Sequence, residues 1–201
     1  LFAELERPPH DPAERQTAQE RILAGVGALL RQALDLPSEL VGVVLAPDFT
    51  RSMTQFAQRA RRFDPTVSGN EIYQASRNVA TMNGLQRLMG LPVQLTPAIF
   101  AYSMLYPYTD NYLDDHAITL EAKAAFNKRL ESRLLGHDVV PANEHERRVF
   151  DLVGMIEWQY ERARFPQVFA SLLAIHEAQC KSLGLLRRDA APYECDVLGL
   201  S

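Results

Sequence analysis

Proline and helix-capping residues recur along this chain at intervals of about one helix length, and no stretch alternates apolar and polar residues for long enough to read as a strand. Asp11-Pro12-Ala13-Glu14 combines an N-cap residue, a proline at the first helical position and an acid at the third, so a helix is expected from there to about Ala33. Pro37-Ser38 starts a short apolar helix that Pro47 stops. Asp48 can cap the next, to about Phe63, with Asp64-Pro65 as the break. Ser68 or Gly69 opens another, which Gly90 and then Pro92 end in the manner of a C′ glycine followed by proline. Thr96-Pro97 starts a strongly apolar helix in which Pro107 should produce a kink or a break. Thr119 caps a segment ending at Gly136, Asn143 with Glu146 forms a capping box, and Phe165-Pro166 precedes a last helix to about Arg187. Seven or eight helices, no sheet and no repeating period predict an all-α bundle.

At 201 residues, 1–201 is expected to form one domain, long enough to bury a sizeable core without disulfides or metals. A net charge of -4 with both signs interspersed argues against a nucleic-acid binder and against a polybasic membrane-surface module. The longest apolar stretches, near Leu23–Leu30 and Leu40–Ala46, fall short of the ~20 residues a spanning helix needs, so no transmembrane segment is expected. Cys180 and Cys195 make no disulfide framework, which favours a cytoplasmic location. The chain opens Leu1-Phe2-Ala3 without Met and closes on the apolar run before Ser201, so it is expected to be truncated at both ends.

Chemistry concentrates in Tyr106-Pro107-Tyr108-Thr109-Asp110-Asn111-Tyr112-Leu113-Asp114-Asp115-His116. On a helix Asp110 and Asp114 share a face one turn apart, and Asp115 lies about 140° round from Asp110. Like charges at that spacing repel. Ending an apolar, aromatic-rich helix, they are placed to point across the mouth of a cavity, where a hard cation such as Mg²⁺ would balance them. The plainer reading is an acidic helix end, with Asp114 and Asp115 solvated near Thr119.

An all-α chain whose apolar helix runs into Asp110-x-x-x-Asp114 resembles the class I isoprenoid (terpenoid) synthase superfamily, closest in motif form to its squalene/phytoene synthase-like branch. Ile72-Tyr73-Gln74-Ala75-Ser76-Arg77-Asn78, Leu85-Gln86 and Leu95-Thr96-Pro97 look like segments of bacterial class I isoprenoid biosynthesis enzyme-like proteins. The similarity runs from about Asp48 to the end. It implies an isoprenoid-synthase bundle lacking its C-terminal helices, around an apolar cavity whose mouth holds Mg²⁺ and a prenyl diphosphate, the allylic diphosphate being ionised there. Carried over, Asp110 and Asp114 are metal ligands and Asp115 an outer helper. The family's second acidic motif lies in a later helix; Glu157-Trp158-Gln159-Tyr160-Glu161 has the spacing, but Arg162 and Arg164 beside it favour a solvated ion-pair face.

Arginine forks match phosphate oxygens, so Arg51 and Arg77 are candidate diphosphate ligands, whereas Arg59, Arg61 and Arg62 read as a solvated face near a helix C-terminus. Phe100, Tyr102, Tyr106, Tyr108 and Tyr112 read first as core; of these, Tyr106 and Tyr112 are carried as candidates for substrate contact. Glu-x-x-His, Cys-x-x-Cys, Gly-x-Ser-x-Gly and Walker patterns are lacking. Besides the substrate, a second copy of the chain is a candidate partner, as a homodimer. The alternative function is a helical module that holds an isoprenoid or lipid without chemistry, or docks a partner.

Overall fold

The computed structural model describes residues 11–35 and 37–182. Every regular element among them is helical: α1 (Pro12–Leu34), α2 (Ser38–Val44), α3 (Pro47–Phe63), α4 (Gly69–Leu88), α5 (Pro97–Asp114), α6 (Leu120–Leu134), α7 (Glu144–Gln159) and α8 (Pro166–Ser182). The all-α expectation holds, and Cys195 and the end of the last expected helix lie outside the described residues. None of these helices is long and apolar enough to cross a membrane.

The punctuation works largely as its chemistry dictates. Thr96 and Thr119 accept from the amides of Ile99 and Ala122 as N-caps, and Ser68 and Glu71 exchange bonds in a complete capping box. Asn143 caps α7 through the Glu146 amide, but the Glu146 carboxylate accepts from the Ala142 N–H, one residue earlier than a capping box requires. Gly90 (φ 70°) and Gly136 (φ 93°) end α4 and α6 in left-handed geometry, each followed by an amide reaching back five residues, Leu91 to Gln86 and His137 to Ser132.

The chain divides into two compact units, residues 1–55 with 80–94, and 56–79 with 95–201. In the first, α1 packs on α2, and Val41 and Phe49 are buried. Asp48 sits inside the first turn of α3 rather than at its cap, because Pro47 already takes the first helical position; its carboxylate accepts from the Arg87 guanidinium at 2.6 Å. Ser52 donates to Asn83 in the same interior.

In the second unit α5 is the central helix. It packs along α7, while α6 packs on α7 and α8. Its buried side chains include Phe100, Met104, Leu105, Tyr108 and Leu113. Rings from α3 join them: Phe56 and Phe63 lie 5.8 and 5.9 Å from Phe100, and Phe63 lies 6.2 Å from Tyr108. Pro107 does not break α5, which runs through it to Asp114. The turn loses one backbone bond, yet Ala101, Met104, Leu105 and Tyr108 around it are buried, and that packing outweighs the local cost.

Three polar networks lie in this unit. Asp64, 4 % exposed, accepts from the Tyr108 hydroxyl, from Arg148 at 2.8 Å and from Thr66. Glu146, fully buried, pairs with Arg129 at 2.8 Å. Glu157 pairs with Arg133 and Arg162 and is only partly exposed, so the expected solvated face is an interhelical network. Arg59 also departs from the expected solvated face: half-buried, it lies 4.3 Å above the Phe100 ring, while Arg61 and Arg62 are exposed.

Candidate functional site

The last two turns of α5 carry the carboxylate pair because the apolar run of that helix gives way there to Thr109-Asp110-Asn111. Asp110 is partly buried and Asp114 exposed. The Tyr106 hydroxyl, one turn earlier, donates to Asp110, and so does the Gln179 side chain of α8. Burial lifts the Asp110 carboxyl above its ordinary value and the Asp114 charge adds to this, against the pull of the two donors. The Tyr106 phenol is raised by burial and by Asp110, with the positive charge of Arg77 opposing. Arg77, exposed on α4, thus acts on the same cluster.

A narrow slot of about 40 Å³ lies between α5, α6 and α8, lined in part by Tyr106 and Gln179, the partners of Asp110. Leu105, Leu130, Leu134, Leu172 and Ile175 form its apolar wall, and Tyr106, Thr109 and Gln179 its polar rim. Gln179 fixes that rim by donating to Thr109 Oγ1 at 3.2 Å while also holding Asp110. Asn111, on the next flank, donates to Gln74 at 3.2 Å.

The sequence-derived candidates separate here. Asp110, Asp114, Tyr106 and Arg77 belong to one cluster. Asp115 does not face it: it closes α5, and its carboxylate accepts from the Ala117 amide at 2.8 Å to shape the turn into α6. Tyr112 stacks on His145 (ring centroids 4.6 Å, 17°) and meets Phe126 at 4.7 Å, in the packing between α5, α6 and α7. Arg51 is exposed on the part of α3 that belongs to the first unit. Gln179 went unrecognised in the sequence because nothing local marks a glutamine 69 positions from Asp110 as its partner. His145 did too: it lies between Tyr108 and Tyr112, a backbone bond to Tyr108 orients it, and burial pulls its pKa down.

Among the described residues no three His, Cys, Asp or Glu side chains gather to hold a metal ion. The pair Asp110 and Asp114 nevertheless has the donor chemistry of a magnesium site, since Mg²⁺ takes one or two carboxylates and completes its shell with water and phosphate oxygens. No family model, no curated protein and no solved structure matches this chain.

Proposed function

We infer that this chain is an isoprenoid-synthase-like helical domain that binds a prenyl diphosphate through Mg²⁺ at Asp110 and Asp114 and ionises it. The observation that carries this reading is a partly buried carboxylate, raised by burial and by the charge of Asp114, whose partners Tyr106 and Gln179 line an apolar slot at the end of the most deeply packed helix among those described. A structural acid pair would be expected to acquire an arginine or lysine partner; Asp110 instead takes neutral donors from Tyr106 and Gln179.

In this reading Asp110 and Asp114 would hold the metal, which offsets the negative charge gathering on the departing diphosphate. Tyr106 and Gln179 orient the Asp110 carboxylate, and Arg77 adds a cation for a diphosphate oxygen. The leucine wall excludes water from an allylic carbocation. An isoprenoid chain needs far more room than 40 Å³, so binding in this site requires α5, α6 and α8 to part around the slot.

The test is Mg²⁺-dependent release of diphosphate from farnesyl and geranylgeranyl diphosphate by the longest native form of the protein. Asp110→Asn and Asp114→Asn are each expected to lower it by roughly 100-fold or more with the helical circular-dichroism signal unchanged. Release that survives both substitutions would remove the assignment.

A further inference from the structure

A second site lies elsewhere in the second unit, beginning at Pro97, which is about 20 Å along α5 from Asp110 at 1.5 Å per residue. It is an open cleft of about 940 Å³ between the last turns of α3 and one face of α7. Phe150, Asp151, Gly154, Met155 and Trp158 come to that face at helical spacing. Trp158 is 78 % exposed, an unusual position for the only tryptophan in the chain.

Charge makes the cleft selective. Arg59 and Arg62, one turn apart on α3, both line it, and no carboxylate among the described residues pairs with either. Among the described residues Arg62 donates to the Gln58 carbonyl alone. Arg59 is half-buried, with the Phe100 ring against one face and the Met155 sulfur at 3.8 Å as its polar contact. Desolvation and the charge of Arg62 both penalise its ionised form. The other charges of the cleft are already balanced, Arg133 by Glu157 and Asp151 by Arg147 at 2.6 Å. A desolvated guanidinium beside another, with no counter-ion, is an arrangement an incoming anion stabilises. With the Phe100 ring against one face and one N–H on the Met155 sulfur, the guanidinium keeps further N–H donors to fork onto oxygens.

We propose that this cleft binds a phosphate ester with an aromatic or branched apolar body, its oxyanion forked by Arg59 and Arg62 and its body laid against Phe63, Met155 and Trp158. The volume falls in the range of small-ligand sites, and two adjacent forks suit the three oxygens of a phosphate better than the two of a carboxylate. This site is independent of the Asp110 reading.

Trp158 is the reporter. Titration with phenyl phosphate is expected to change its emission saturably, with inorganic phosphate binding at least about threefold more weakly for want of the apolar body. Arg62→Gln, at an exposed position that leaves folding intact, is expected to weaken phenyl phosphate binding roughly tenfold, and Arg59→Lys to weaken it through loss of the fork. Asp110→Asn should leave the titration unchanged. An absent or non-saturating response, equal affinity in the Arg62→Gln protein, or phenylacetate binding as well as phenyl phosphate would overturn the proposal, the last pointing to an acidic-peptide surface instead.

Discussion

Two buried or half-buried acids in the second unit behave oppositely, one held by an arginine and the other by neutral donors. Glu146 is fully buried, paired with Arg129 and bonded to the Ala142 amide, and its carboxyl is held below the ordinary value despite burial. Glu146→Ala is therefore expected to cost about 3–5 kcal/mol in urea unfolding, because it strands Arg129 and an amide. Asp110 has neutral donors and a like-charged neighbour, so Asp110→Asn is expected to leave the melting temperature unchanged or raise it. A marked loss of stability in that variant would make Asp110 a structural acid. The i,i+4 spacing made Asp110 and Asp114 legible in the sequence. Their partner Gln179 was not, since tertiary proximity leaves no local signal.

At the scale of the elements, capping chemistry was largely legible because it is local: Thr96, Thr119 and the Ser68–Glu71 box all act within four residues. Glu146 shows the limit, because its carboxylate is drawn to Arg129 as well as to the Ala142 amide, which the spacing alone does not encode. Pro107 shows another. Its local cost predicts a kink or break, and only the burial of its neighbours explains why α5 continues. Gly136 gives a test of element termination. At φ 93° an added Cβ would be strained and would come within 3.2 Å of Arg162 Nε, so Gly136→Ala should lower stability by roughly 1–2 kcal/mol in denaturant titration.

Across the whole molecule, the titratable groups predict an acid response in two stages. His145 and His176 have pKa values lowered by burial, so the folded state binds fewer protons than the unfolded one near the unfolded histidine value of 6.5. Stability should therefore be complete above that value and fall as pH drops below it. Asp64, Glu146 and Glu157 are held below their ordinary values of 3.8 and 4.5, so their contribution persists through the first stage and is lost only as pH falls through the lowered values. Urea midpoints between pH 8 and 3 should show both stages, and His145→Phe should diminish the upper one. The all-helical class was legible at this scale from punctuation alone, whereas the division into two units was not, because α3 and α4 each contribute residues to both.

The central claim is that Asp110 and Asp114 hold a metal that grips a diphosphate. Its most direct measurement is calorimetric binding of a non-ionisable prenyl diphosphate analogue to the longest native form, with and without Mg²⁺, beside the Asp110→Asn variant. In an Arg62→Gln background, which removes the contribution of the second cleft, saturable binding that requires the metal is expected, and it is lost when Asp110→Asn is added. Binding in that background that is indifferent to Mg²⁺, or that survives Asp110→Asn, would contradict the account.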